Sequence, residues 1–581
     1  MKQGELDNLR HSCAHLLAAA IMDMWPNTKR AIGPAIENGF YFDFDFGDVK
    51  VSEADFPKIE QKMIEISRSW KNFERHELNS HEAKKEYPNN PYKHELIDEF
   101  SKERQTLTFY KSGSYWDLCR GGHCEHPDKE LKRFKLLSIA GAYWRGNEKN
   151  KMLTRIYGTV FPTKDELEKH LWQIEEAKKR DHRKISKEME LFLISQKVGS
   201  GFPLYMPKGF LLRRNLEKWL TDEKEKRGYQ FVATPHIAKS DLYRQSGHWQ
   251  KYDAMFNPMK LDEEEYVVKP MNCPHHFQIF LERPRSYKEL PLRIAENATV
   301  YRNEKAGELN GLLRVRSLTQ DDTHTFVRHS QIASEIDQIL ELALMVYKTF
   351  GFYDFRARIS TRDPKKSDKY LGNTATWDKA EQALIDGVKR LKIDHFIGEG
   401  EAAFYGPKID IMVKDAIGRE WQLTTVQLDF VQPENFNMNY ITEKGKEDRP
   451  AVLHVAILGS FDRFLGILIE HYAGKFPLWL APVQVKIIPI SQAHVATAQK
   501  VKEMLIGRGI RVEIDDREER MQAKIRDATL QKIPFMAIIG DKEMATSPLT
   551  VSLRSREGKN EGSLTVSHLI EKLTAQIETK G

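Results

Sequence analysis

Between residues 293 and 326 two extended runs, RIAENATVYRNE and LLRVRSLTQDDTHTF, flank the short glycine-containing loop KAGELNG. Strand-like runs on either side of such a loop predict an antiparallel hairpin, and with it an antiparallel sheet at the centre of the chain. A strand places alternate side chains on one face. Arg314, Arg316, Leu318, Gln320, Asp322 and His324 therefore share a face of the second run, and Arg302 and Glu304 share one of the first. A face that grades from arginine through amide to carboxylate and histidine is ill suited to a core. It suits a polar pocket, anion-binding at one end and metal-binding at the other. Downstream, AVLHVAILGSFDRFLGILIE reads as a strand entering a helix whose first turn carries Arg463.

A chain of 581 residues is too long for one core, so about three domains are expected. The polar, acidic start MKQGELDNLRHSCAHLLAAA predicts no signal peptide, and runs such as LLAAAIM are too short to span a membrane. The four cysteines are Cys13, Cys119, Cys124 and Cys273, three of them beside histidines. That pattern suits reduced thiols with chemical roles better than a disulfide framework. A net charge of +6 permits a polyanionic partner without demanding one. The expected division is 1–162, mixed α and β; 163–184, a charge-laced helical connector; 185–480, holding the hairpin; and 481–581, strands alternating with helices as in a small α/β domain.

Two further groups look like metal ligands. HSCAH (His11, His15) and CRGGH (Cys119, His123) repeat one spacing near the N-terminus. On a helical wheel His11 and His15 lie opposite the stripe formed by Leu6, Leu9, Cys13, Leu16, Leu17 and Ala20, beside small residues. A zinc site, a metal-free pocket and a solvated polar face all remain open there. Cys273, His324 and His454 would make a three-ligand zinc set with an open position, each donor on a separate element.

RNE at 302–304, GSFDRF at 459–464 and the helix-strand segment GFLLRRNLEKWLTDEKEKRGYQFVATPHI resemble the three motifs of class II aminoacyl-tRNA synthetases. KPMNCP, QDDTH, GEGEAAFYGPKI and LHVAILGS resemble the threonyl family within that class, over essentially the entire chain. The resemblance implies an α+β multidomain fold: a class II antiparallel-sheet catalytic core, an N-terminal α+β editing domain and a C-terminal α/β anticodon-binding domain. It implies ATP brought with Mg²⁺, threonine, the threonine tRNA and a second copy of the chain as partners, and a cytoplasmic location. Arg302 would hold the α-phosphate and the amino-acid carboxylate, Arg314 and Arg463 the γ-phosphate, and Glu304 the adenine amino group. Gln422 would contact adenosine, and Lys408 the substrate or a phosphate. One Zn²⁺ per subunit, on Cys273, His324 and His454, would bind the amine and hydroxyl of threonine. Met271, Gln320, Asp322, Tyr405, Gln427 and Ser460 would complete that pocket, and His248 would move against the tRNA end.

Such a zinc rejects valine, which lacks the hydroxyl, but not the smaller serine, so a second sieve is required. By resemblance that sieve is His11, His15, Cys119 and His123, orienting a seryl ester, the terminal ribose and a water without an ion. Lys93 would activate the water, Asp117 would recognise the seryl group, and Cys124 would be structural. Arg554 and Arg556 would read the anticodon. Four departures are expected to matter. The chain starts almost directly on the editing helix, without the ubiquitin-like (TGS) module of many relatives. Leu318 replaces an aromatic that commonly stacks on adenine, Glu518 an asparagine near the anticodon, and Phe42 a tyrosine of the editing pocket. The rival readings are a prolyl-type sister enzyme, opposed by the Cys-His-His set, and a catalytically inactive paralogue that binds RNA, opposed by the retained arginines.

Overall fold

The computed structural model describes residues 3–102 and 107–580. It divides into two compact units, Met1–Glu175 and Glu176–Gly581, with the division inside the helix Lys164–Arg180. The connector is not one helix. Asp181 leaves helical geometry, and its carboxylate accepts the Arg183 N–H at 2.8 Å to start a second helix, His182–Met189. An aspartate competes for backbone donors in this way wherever a new helix can begin. Among the described residues no helix is long and apolar enough to cross a membrane.

In the first unit the helix Gln3–Met24 packs on a sheet ordered Lys29–Arg30, Gly39–Asp45, Met152–Val160, Phe134–Tyr143. Leu9, Cys13, Leu16, Leu17 and Ala20 are buried as the stripe predicts, but so are Ala14, His15, Ala18 and Ile21 on the other side. His15 is therefore on no solvated face, while His11, part-buried, borders a pocket. A second sheet, Glu74–Leu78, Leu107–Ser112 and Tyr115–Leu118, brings Asp117 and, just beyond its end, Cys119 against this helix.

The second unit is built on an eight-stranded sheet ordered Gln230–Phe231, Leu292–Tyr301, Ser317–Val327, Ala451–Ser460, Glu420–Asp429, Lys408–Lys414, Phe355–Thr361, His395–Glu399. All pairs are antiparallel except the first and last. The expected hairpin is present, from Leu292↔Phe326 to Tyr301↔Ser317. Its second strand begins only at Ser317, however, so Arg314 and Arg316 are not on the strand face. Residues 302–316 fold back on themselves instead: Arg314 and Asn310 form a bridge, Gly311 takes φ +50°, and the Arg316 guanidinium donates to the Glu304 carbonyl at 2.9 Å.

Gln320 faces Ser460 whereas Asp322 faces Ala456, so residues 457–459 bulge out of the Ala451–Ser460 strand. Asp321, fully buried, fills the bulge. Its two oxygens accept the backbone N–H groups of Ile457 (2.7 Å) and Leu458 (3.0 Å). Lys224 of the helix Pro207–Glu225 donates to the Asp321 carbonyl at 2.7 Å and pairs with its carboxylate at 3.3 Å. The bulge, with Gly459 at φ +81°, turns the strand into the helix Phe461–His471. That helix and Ile332–Phe350 supply the main core with Leu340, Phe464 and Leu468, packed with Leu453 of the strand, each fully buried side chain contributing about 1.5–3 kcal/mol. The C-terminal part is the expected α/β fold, with strands ordered Val512–Ile514, Val485–Pro489, Phe535–Ile539, Thr550–Ser555, Asn560–Thr565, the first three parallel.

Candidate active sites

A pocket of about 680 Å³ lies over the central strands. Every residue singled out above for ATP, threonine or zinc lines it, from strands, loops and helix starts scattered over nearly two hundred positions: Met271, Cys273, Arg302, Glu304, Arg314, Gln320, Asp322, His324, Tyr405, Lys408, Gln422, Gln427, His454, Ser460 and Arg463. Leu318 lines it too, packed against Val300 and Val315.

At one end the Arg302 guanidinium contacts the Met271 sulfur at 3.6 Å and lies over the Tyr252 ring, and its buried Nε has no partner among the described residues; nor does Nε of Arg463. Burial pushes the Arg463 guanidinium down, and Arg314 adds to the shift. Two half-buried guanidiniums without carboxylates are costly unless an anion arrives. Arg314 is differently placed. It pairs with Glu304 at 2.8 Å and with Glu308 at 2.7 Å. Lys408 and Gln422 are held by one fully buried carboxylate, Asp410, at 2.6 and 2.8 Å, and Arg358, Ser360 and Thr425 bind the same group. The Ser460 hydroxyl accepts from the Arg463 N–H at 3.2 Å, capping the helix that carries that arginine.

At the other end Cys273, His324 and His454 converge, with one donor atom from each within 4.8 Å of the others. Nδ1 of His324 contacts Nδ1 of His276 at 2.8 Å, and Nε2 of His454 contacts Asp429 at 2.9 Å. Each histidine thus has its far nitrogen engaged, leaving Nε2 of His324 and Nδ1 of His454 for a metal. Asp429 is itself fixed by the N–H groups of Val431 and Gln432, and His276 by Glu296 at 3.2 Å. Thiolate plus two imidazoles, with oriented partners behind them, fits zinc. Burial pushes the Cys273 thiol well above its usual range, a penalty that a divalent cation reverses. His248 is fully buried beside Tyr405, its Nδ1 on Ser246 at 2.8 Å.

In the first unit a pocket of about 470 Å³ is lined by His11, His15, Lys93, Asp117 and Cys119, with Phe42 and Gly33 on its wall. His15 and His11 meet Nε2 to Nε2 at 3.2 Å, and the Cys119 sulfur lies 3.5 Å from His11 and 3.4 Å from His123. Their donor atoms also lie within 4.8 Å of one another. Burial lowers all three histidines, His123 to about 3, and raises Cys119 to about 12, so the cluster is neutral near pH 7. Cys124 belongs to the core, its N–H donating to Ser12 Oγ.

Asp117 is among the residues lining this pocket. It is fully buried, and its carboxylate accepts from Lys93 (2.8 Å), Arg30 (3.2 Å), Tyr87 (2.6 Å), Tyr115 (2.9 Å) and its neighbour's N–H. Its Oδ1 anchors Lys93, while Oδ2, which accepts from Tyr115 alone among the described residues, belongs to the lining of the pocket. Burial would raise its carboxyl, but Arg30 and then Lys93 hold it well below the usual range. In the C-terminal domain Arg556 donates to the Phe476 carbonyl at 2.8 Å and to Glu557 at 3.0 Å. Arg554 has no such tie: its buried Nε is without a partner. Glu518 lies instead in a separate groove of about 360 Å³ with Arg517, Arg520 and Lys524, at the carboxyl ends of the parallel strands.

Sequence reasoning missed the residues behind the ligands. Two of them had a signal: Asp429 shares a strand face with Gln427, and His276 follows Cys273 at helical i+3 spacing. Arg30, Tyr87 and Asp410 carried none.

Three family models match the chain. Residues 256–472 match the tRNA synthetase class II core domain (G, H, P, S and T). Residues 484–576 match an anticodon binding domain, and 107–157 the threonyl and alanyl tRNA synthetase second additional domain. Threonine–tRNA ligase of Deinococcus radiodurans is 50% identical over 560 residues, covering 95% of this chain and 86% of that protein. The enzyme of Chloroherpeton thalassium is 47% identical over 98% of this chain and 87% of its own. The crystal structure of the RNA binding domain of threonyl-tRNA synthetase from Cryptosporidium parvum Iowa II superposes with a TM-score of 0.65 at 36% identity, covering 68% of this chain and 98% of that one. The chain belongs to the threonyl-tRNA synthetase family.

Proposed function

We propose that the two pockets of this threonine–tRNA ligase divide the work, the larger making the threonyl ester and the smaller hydrolysing seryl mistakes. The reading rests on one observation above others: a Cys-His-His donor set and two arginines lacking acid partners line the same pocket. Arg302 positions the threonine carboxylate against the α-phosphate of ATP, Arg463 and Arg314 hold the γ-phosphate, Glu304 reads adenine, and Mg²⁺ enters with the nucleotide. Lys408 and Gln422, oriented by Asp410, complete the nucleotide side. Reaction is an in-line displacement helped by positioning and charge. Zinc on Cys273, His324 and His454 supplies an open Lewis-acidic position selective for an amine and a hydroxyl. Met271, Gln320, Asp322, Tyr405, Gln427 and Ser460 enclose the amino acid.

In the smaller pocket Lys93, held by Asp117, polarises a water, while neutral His11, His15, Cys119 and His123 orient the ester and ribose without a metal. The division into editing (1–162), connector (163–184), catalytic (185–480) and anticodon-binding (481–581) domains, the cytoplasmic location and the pairing of two copies belong to the same reading. The exposed apolar ribbon of Leu193, Ile194 and Leu204, with Phe210 on the adjoining helix, supports a second copy as its cover. Amino-acid-dependent exchange of pyrophosphate into ATP tests the synthetic half: threonine supports exchange, serine does so weakly, and valine and proline not at all. Release of serine from seryl-tRNA, abolished by His11→Ala with exchange intact, tests the other half. Exchange driven by proline, or none with threonine, overturns the reading.

A further inference from the structure

The buried pair His182–Glu470 lies outside both pockets and outside every role assigned above. His182 is the first residue of the helix His182–Met189 and is 1% exposed; Glu470 is near the end of the helix that starts beside Arg463. Nδ1 of His182 lies 2.7 Å from Glu470 Oε1, and the His182 backbone N–H donates to the same oxygen at 3.2 Å. Arg419 pairs with the other carboxylate oxygen at 2.6 Å. A carboxylate facing Nδ1 requires the ring proton there, so Nε2 keeps its lone pair. That lone pair accepts the backbone N–H of Leu312 at 3.0 Å. The ring packs so tightly on the loop that a Cβ on Gly311 would come 2.0 Å from Nε2.

Leu312 stands in the 302–316 loop, two residues before Arg314, and is itself buried at 1% while Glu308, Asn310 and the Arg314 side chain are largely exposed. We propose that His182 is a positioning residue for the ATP-binding loop: Glu470 fixes its tautomer, and its Nε2 holds the Leu312 amide so that Arg314 is presented to the nucleotide. The connector to the editing domain therefore enters the catalytic unit through a direct hydrogen bond to the loop that grips ATP. This rests on the assignment of Arg314 and Glu304 to ATP.

Two near-isosteres separate the two ring nitrogens. His182→Asn puts an amide nitrogen near the place of Nδ1 and keeps the donor to Glu470, but nothing then accepts the Leu312 N–H. His182→Gln puts a carbonyl oxygen near the place of Nε2 and keeps that acceptor. In threonine-dependent pyrophosphate exchange His182→Asn is expected to raise the KM for ATP about three- to tenfold, with the KM for threonine unchanged, while His182→Gln stays within about twofold of the parent. Glu470→Gln, which can donate to Nδ1 and so leave Nε2 protonated, should reproduce the asparagine result even if His182→Asn does not fold. Equal behaviour of the two His182 variants, or parallel rises in both KM values, overturns the proposal. Arg314→Ala separates the failures. If it leaves the KM for ATP unchanged, the loop does not bind ATP and the positioning role falls with it. If it raises that KM while His182→Asn and Glu470→Gln do not, the lock alone is wrong.

Discussion

Nδ1 of His276 lies 2.8 Å from Nδ1 of the candidate zinc ligand His324, and Nε2 of the same His276 lies 2.8 Å from Nδ2 of Asn272 and 3.2 Å from Glu296. Glu296, His276 and His324 thus form a line from a carboxylate to the candidate metal site. A metal on Nε2 of His324 puts the His324 proton on Nδ1, so His276 must accept at Nδ1 and carry its own proton on Nε2 toward Glu296, a tautomer in which the Asn272 amide donates to Glu296 and not to the ring. Loss of such an outer partner lowers metal affinity about 10–100-fold. His276→Ala should therefore bind zinc that much more weakly in competition with a chelator, and His276→Asn, which keeps an amide near Nδ1, should recover part of the loss. Unchanged affinity in His276→Ala would contradict the relay.

Arg314 is paired with Glu304 and Glu308, and all three are near the mouth of the pocket. A γ-phosphate must displace Glu308. The pair is half-exposed and worth about 0.2–1 kcal/mol, so Glu308→Gln should lower the KM for ATP by up to about fivefold while leaving threonine affinity alone. A raised KM would mean that Glu308 assists the nucleotide instead of competing with it.

Lys224 and Asp321 form a buried pair, 2% and 0% exposed, and Asp321 also holds the bulge that sets Ser460 opposite Gln320. Lys224→Met strands a buried carboxylate and should destabilise the catalytic unit by about 3–5 kcal/mol in chemical denaturation. A cost below about 1 kcal/mol would place the bulge under other control.

The editing cluster should respond to pH. Its histidines have folded values below the ordinary 6.5, with His123 near 3, because burial disfavours their charge. Between about 3 and 6.5 the unfolded chain binds more protons than the folded one, so stability is complete above 6.5 and declines as pH falls. Hydrogen exchange of the helix Gln3–Met24 in the intact chain, corrected for intrinsic rates, should accelerate from pH 7 to pH 5, and His123→Phe should weaken that dependence. Equal protection at both pH values would contradict the neutral cluster.

The hairpin, the strand-to-helix turn at Ser460 and the C-terminal α/β alternation were legible because they depend on local periodicity and turn residues. The zinc donors and the arginines were legible as residue types, with their convergence supplied by family resemblance. What local pattern could not carry was tertiary. The loop 302–316 folds through a backbone bridge and a histidine from another element, so Arg314 left the strand face where alternation put it. His15 is enclosed because packing, not the helical wheel, decides which faces meet water. Asp117 and Arg556 were read by position, and the partners that hold them, Arg30 and Phe476 among them, lie far off in sequence and left no local pattern.

Among the described residues three clusters carry metal-type donors within the same 4.8 Å spread: Cys273, His324 and His454; His11, His15, Cys119 and His123; and Asp181, His182 and Glu470. Only the first is assigned a metal. The most direct measurement is zinc content per chain by elemental analysis of the intact protein and of two variants, Cys273→Ala and His123→Ala. One zinc in the parent, one in His123→Ala and none in Cys273→Ala, with threonine-dependent exchange lost only in the last, is the expected result. Two zinc ions in the parent with one lost in His123→Ala, or loss of zinc in His123→Ala with retention in Cys273→Ala, would contradict it and require the hydrolytic chemistry to be rebuilt around a metal.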